Sequence, residues 1–209
     1  MTTLESIAAL SGIIATVWIS LGVYVAAKFY PNYSHSQQFC SELGATGSPT
    51  QKLSPMINNY PLGLIFCLFG WFLMTLQVAD AWIVLSGILI IIHGIGTWVA
   101  GYFPMDQDPY TKVPSFSCKV HSWAGFIMLL SLLTAPLLVA MGSDSIGLPS
   151  WFDLVSIFTV VIAVYYLYKM AKSVKQKRHV GTYQRMSYWI KLLWLSTLSF
   201  LLSTQYFNA

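Results

Sequence analysis

Apolar residues run almost unbroken through six stretches of the chain, at about residues 4–30, 56–78, 81–103, 120–142, 151–172 and 186–206, and polar residues collect between them. Each stretch reaches the roughly 20 residues a helix needs to cross a bilayer core of about 30 Å. The pattern predicts an all-α integral membrane bundle of six transmembrane helices, forming a single six-span membrane domain over residues 1–209. With 56% hydrophobic and only 9% charged residues, the chain leaves little outside those spans, and no separate soluble domain fits. The first stretch is too long for the apolar region of a signal peptide and shows no clear small-residue cleavage site, so it is read as the first span.

Helix punctuation agrees with these boundaries. Ser54 and Pro55 read as an N-cap and first-turn proline opening the second span, Phe103-Pro104 stops the third, and Pro149 precedes the fifth. Gly63 and Gly70, then Gly87, Gly94 and Gly101, recur every seven residues. That spacing predicts a smooth seam on spans two and three, which the short QVADAW connection folds into an antiparallel hairpin.

The charges add an orientation. All 11 basic residues fall beside the loops joining spans one to two, three to four and five to six. Lys28 and Lys52 flank the first, Lys112 and Lys119 lie in the second, and Lys169, Lys172, Lys175, Lys177, Arg178, Arg185 and Lys191 surround the third. The N-terminus, loops 2-3 and 4-5 and the C-terminus carry none. The positive-inside rule therefore predicts loops 1-2, 3-4 and 5-6 in the cytoplasm and both termini outside. The basic run KMAKSVKQKRHVGTYQR reads as a topological anchor or, alternatively, as a dock for anionic lipid headgroups.

Of the cysteines, Cys67 lies inside a span, while Cys40 and Cys118 share the basic face. In the cytoplasm these two stay reduced; on the opposite topology they are able to pair. Trp82, Trp98, Trp123, Trp151 and Trp189 fall near span ends as an aromatic belt. Trp71 and Trp194 lie deeper, for packing or for contact with an acyl chain.

Candidate chemistry gathers on one face. Loop 1-2 is long for a connector and holds Ser41, Glu42, Thr46 and Ser48; loop 3-4 holds Asp106 and Asp108, and His121 stands at the mouth of span four. Pairing of spans two and three brings these groups toward one polar mouth. Glu42, Asp106 and His121 are residue types that serve as general acid or base, and Ser41 is a nucleophile type beside them. Each also has a plain structural use: capping a loop helix, ending span three, or hydrogen-bonding a loop carbonyl. The usual zinc spacings are missing and D-x-D is common, so no metal site is assigned. His93 sits in the middle of span three, about 15 Å of helix from the level of His121, too far for the two to share one metal or haem iron. Its plain reading is a neutral ring bonded to a neighbouring helix, with Thr97 a local partner; the functional one is a proton relay or substrate contact.

Three elements in order, SELGATGSP (Ser41 to Pro49), GYFPMD (Gly101 to Asp106) and His121, resemble the signature of the bacterial membrane family catalogued as domain of unknown function 998. The likeness covers essentially the whole chain, with Cys40 where the family usually has an aliphatic residue. It implies a six-span fold in a bacterial inner membrane and supplies no activity. A looser similarity is to the Frag and DRAM group of six-span proteins, in which an I-S-D-T-G run follows span one and a histidine opens span four; Glu42 takes the aspartate position. That group implies lipid remodelling, and a first loop facing away from the cytosol.

Two function classes follow. One is a lipid-handling enzyme or lipid-binding protein using the mouth formed by loops 1-2 and 3-4, with membrane lipids as partners. The other is a noncatalytic accessory subunit of a membrane complex, or a small carrier. No inverted repeat is detectable, almost no charge is buried, no nucleic-acid role is expected, and the sequence names no cofactor.

Overall fold

A computed structural model describes residues 3–207, so the chain ends, residues 1–2 and 208–209, lie outside the described residues. Six long helices follow the six apolar stretches: α1 (Thr3–Lys28), α2 (Tyr60–Thr75), α3 (Ala81–Tyr102), α4 (Phe116–Gly142), α5 (Trp151–Gln176) and α6 (Val180–Phe207). No strand occurs among the described residues. Five of the helices are long and apolar enough to cross a membrane, α2 together with the π-helical turn Pro55–Asn59 that leads into it. The sixth, α6, is long enough but diluted by Lys191 and by its serines and threonines. Its neighbours shield it instead: Leu192, Trp194, Leu195, Leu198 and Leu202 are at most 1% exposed.

Those hydroxyls join α6 to α1. Thr16 Oγ1 donates to the Leu192 carbonyl at 3.1 Å, Ser199 Oγ to the Ala9 carbonyl at 2.5 Å, and Ser196 Oγ to Thr16 Oγ1 at 2.7 Å. Small and hydroxylated side chains let helices approach closely where lipid offers no hydrophobic drive between them. The glycine seam between α2 and α3 works in the same way. A Cβ on Gly70 would stand 2.5 Å from the Gly87 carbonyl oxygen, one on Gly87 2.6 Å from that of Gly70, and one on Gly94 2.6 Å from that of Gly63. Only glycine fits at such a crossing.

Several boundaries differ from the sequence reading. Ser54 is not the N-cap of the second span: it is already α-helical and its side chain makes no cap hydrogen bond, while Pro55 does occupy the first turn. Pro61 cannot return an N–H to the Ile57 carbonyl, and the indole of Trp18 supplies that hydrogen bond at 2.7 Å. Helix α4 begins at Phe116 because Ser115 accepts from the Cys118 N–H at 3.1 Å; the charge of Lys119 hid this first turn. The basic run read as loop 5-6 is largely helix. Helix α5 continues to Gln176, Lys177 takes a left-handed conformation, and α6 starts at Val180.

The core is built on Phe66, Phe69, Phe72 and Phe152, with Trp194 stacked on Phe152 at 6.2 Å. Trp194 is 1% exposed and its indole donates to Ser156 Oγ at 2.9 Å, so it packs the bundle interior. Loops 1-2, 3-4 and 5-6 meet at one end of the bundle, where Thr46 N–H donates to the Met105 carbonyl and Thr182 N–H to that of Ser36. Loops 2-3 and 4-5 meet at the other, where Gln205 Nε2 from α6 donates to the Gly147 carbonyl at 2.8 Å.

Candidate functional site

Loop 1-2 is folded into the end of the bundle. Within it a short 3₁₀ turn, Cys40–Gly44, places Leu43 fully inside, and Ala45, Ser48 and Thr50 are buried beside it. Ser48 and Thr50 hydroxyls both donate to the Leu43 carbonyl, at 3.0 and 2.6 Å. The SELGATGSP run is therefore a plug in which Ser48, with Thr50 just beyond it, satisfies the Leu43 carbonyl.

The predicted acid and base residues hold backbone groups. Glu42 is 8% exposed; its Oε1 accepts from the Phe39 N–H at 2.8 Å and its Oε2 from Gln38 Nε2 at 3.0 Å. Asp106 Oδ2 accepts from the Ser115 N–H at 2.9 Å, and hydrogen bonding by Ser115 holds this carboxyl below the ordinary carboxylate range. His121 Nδ1 lies 2.9 Å from the carbonyls of both Ala100 and Phe103, so that nitrogen carries the proton and closes the C-terminal end of α3. Asp108 accepts from the Tyr110 N–H at 2.9 Å in a local turn. Ser41 is half-buried, and its hydroxyl has no hydrogen bond among the described residues. The two loops meet, but Ser41, Glu42, Asp106 and His121 make no hydrogen bonds with one another.

The organising residue of this end is Arg185, the last of the basic run that the sequence offers as a topological anchor or a dock for anionic headgroups. Its guanidinium donates to the Gln38 carbonyl at 2.9 Å and to the Tyr33 hydroxyl at 2.6 Å. Gln184 next to it accepts from the Cys40 N–H at 2.8 Å. Burial pushes the Tyr33 phenol and the Cys40 thiol up, and burial followed by the Arg185 charge lowers His35. Loop 3-4 joins the assembly where Lys177 lies 4.7 Å over the Tyr110 ring. All three cysteines are free.

Deeper in the bundle His93 Nδ1 donates to the Met128 carbonyl of α4 at 2.9 Å, with the Phe66 ring edge-on at 4.6 Å. Thr97 is not the ring's partner: its hydroxyl donates to the His93 backbone carbonyl at 2.8 Å. Lys191 does not belong with the loop charges. It is 5% exposed, inside α6, and its position six residues into the sixth apolar stretch was the available signal.

On the outer surface, α3 and α4 enclose an open groove of about 520 Å³. Ile92, Ile95, Val99, Val120, Trp123 and Ile127 line it, and Phe116 and Lys119 stand at its end beside the motif loops. Ser117 Oγ fixes that end by donating to the Pro104 carbonyl at 2.7 Å.

A closed helical bundle with five membrane-length apolar helices and a plugged polar end has the architecture of a multi-pass membrane protein. Residues 13–201 match the family described as Protein of unknown function (DUF998), and the chain belongs to that family. No curated protein and no solved structure matches it.

Proposed function

We propose that this protein binds a membrane lipid with an anionic headgroup, its acyl chain in the α3–α4 groove and its headgroup beside Lys119. The groove carries the reading: its walls are almost wholly apolar, and its one cation stands where the helix meets the motif loops. A phosphate on the lipid supplies a counter-charge to Lys119, and the chain fills a cleft lined by branched side chains and Trp123. Binding is favoured over turnover, because Glu42, Asp106 and His121 spend their hydrogen bonds on the backbone. The same reading sets the motif end in the cytoplasm of a bacterial inner membrane, on the positive-inside rule.

The test is native mass spectrometry of gently extracted protein with lipid identification. The wild type retains an anionic lipid, Ile95→Trp loses it by filling the cleft, and Lys119→Ala loses the preference for anionic over zwitterionic lipid. A bare wild-type protein, or adducts identical in all three, rejects the proposal.

One observation favours the second reading, a noncatalytic subunit. Only 17% of the apolar window of α5 is buried, and Leu154, Phe158, Val161, Tyr165 and Tyr168 are each more than half exposed along one stripe. Their 4-3-4-3 spacing suits a partner helix. Stable copurification of another membrane protein, lost on Phe158→Ser, supports that role.

A further inference from the structure

Lys191 points toward the bundle interior, about 16 Å along α6 from the motif end. It is 5% exposed, and among the described residues no acidic group or hydrogen-bond acceptor meets its ammonium. An ammonium in a membrane core is costly unless something neutralises it. Two further buried polar groups are left unused by the fold. Ser187, one turn earlier on the same face, is 2% exposed and its hydroxyl has no partner. Asn58, 6% exposed, has an unpartnered Oδ1.

Two contacts put Asn58 at the level of Ser187. Its amide presses on Gly22 of α1, where a Cβ would collide with it. Thr16, six residues down α1, bonds the Leu192 carbonyl of the antiparallel α6, five residues down from Ser187. His93, on α3, lies within electrostatic reach of Lys191. Because His93 Nδ1 donates to Met128, its Nε2 lone pair is free of that hydrogen bond.

We propose that Lys191, Ser187 and Asn58 form an interior site for an anionic oxygen group, a phosphate or carboxylate, distinct from the α3–α4 groove. The ammonium supplies the charge, the Ser187 hydroxyl donates, and the Asn58 amide, whose oxygen has no hydrogen-bond partner to fix the O and N assignment, presents its NH₂ to the ligand. The His93 Nε2 accepts a hydrogen bond from a protonated ligand oxygen, which favours a monoprotonated phosphate over a fully ionised one. Three elements that pack without contributing a counter-charge are thereby joined by the ligand.

Thermal unfolding of the full-length protein in a neutral detergent, titrated with inorganic phosphate and separately with lysophosphatidic acid, tests the site. The wild-type Tm is expected to rise with at least one of the two, the half-saturating concentration to increase several-fold in Ser187→Ala and Asn58→Leu, and the response to vanish in Lys191→Met. The lysophosphatidic acid titration is made in Ile95→Trp, whose filled α3–α4 groove leaves the interior site to answer to the headgroup. A rise with inorganic phosphate identifies a free anion as the source; a rise with lysophosphatidic acid alone identifies a lipid headgroup. No rise in the wild type, or an undiminished rise in Lys191→Met, overturns the site. Should Lys191→Met fail to fold, an undiminished response in both Ser187→Ala and Asn58→Leu overturns it equally.

Discussion

Arg185 and Tyr33, 152 positions apart in the chain, are joined by a 2.6 Å hydrogen bond from Nη2 to the phenolic oxygen, with the guanidinium 5.8 Å from the ring centre. The same guanidinium holds the Gln38 carbonyl, so one side chain of α6 latches the first half of loop 1-2. Charge-assisted hydrogen bonds contribute about 1.5–3 kcal/mol each, less when solvent reaches them. Arg185→Ala is expected to cost about 1–2 kcal/mol and to raise proteolytic cleavage within residues 31–39. Arg185→Lys gives little rescue, because an ammonium lacks the planar fork that serves several oxygens at once. Cleavage and Tm equal to the wild type in Arg185→Ala would show that the loop is held elsewhere.

The glycine seam offers a sharper contrast. A side chain at Gly70 or Gly87 meets backbone oxygen, which has nowhere to go, whereas a Cβ at Gly125 meets nothing within 4 Å. Overpacking of this kind costs about 1–3 kcal/mol. Gly70→Leu and Gly87→Leu should each lower the Tm in detergent by several degrees, and Gly125→Leu should leave it unchanged. Equal effects at all three sites would refute the seam.

Cys118 reports orientation better than Cys40. Both lie at the motif end, but burial raises the Cys40 thiol and slows its reaction, while Cys118 sits in the first turn of α4. A membrane-impermeant maleimide is expected to miss Cys118 in intact cells and to label it in inverted vesicles. The reverse pattern turns the molecule over and places the groove mouth and the plug outside.

Acid should act on the turn before α4. The folded Asp106 carboxyl titrates below its ordinary value because Ser115 hydrogen-bonds it. Its contribution is therefore complete above the ordinary carboxylate pKa, about 3.8, and is lost as pH falls through the lower folded value. Asp106→Asn should lower Tm at pH 7 and flatten the acid limb of the Tm profile below pH 4. An unchanged acid limb would exclude Asp106 as its source.

What the sequence made legible was whatever depends on the order of residues along one helix. Apolar length located the spans, Phe103-Pro104 ended α3, and the seven-residue glycine period marked the seam that α2 and α3 form. Lys191 read as a loop charge because its burial is conferred by neighbours that a linear pattern does not contain. Arg185 likewise resembled any basic residue near a span end, since its partners lie about 150 positions upstream. The start of α4 was hidden because Ser115 sets it through a backbone hydrogen bond, and α5 and α6 ran past their apolar windows because helix geometry continues beyond membrane thickness. For the candidate mouth, order brought the loops together correctly, but residue type alone did not reveal that Glu42, Asp106 and His121 were already engaged.

His121 is where a capping role and a catalytic role diverge most clearly. Its Nδ1 serves the carbonyls of Ala100 and Phe103, the last turn and cap of α3, from the first turns of α4. Removing that donor leaves two carbonyls short of a partner, at a cost of about 1–3 kcal/mol. His121→Ala should lower Tm accordingly, while His121→Asn, whose shorter amide retains an N–H donor on the same side, should recover part of the loss. A group that acts in proton transfer would show the opposite signature: both variants would abolish in vivo complementation equally while leaving Tm at the wild-type value. Parallel recovery of Tm and complementation in His121→Asn would assign the residue to holding α3 against α4.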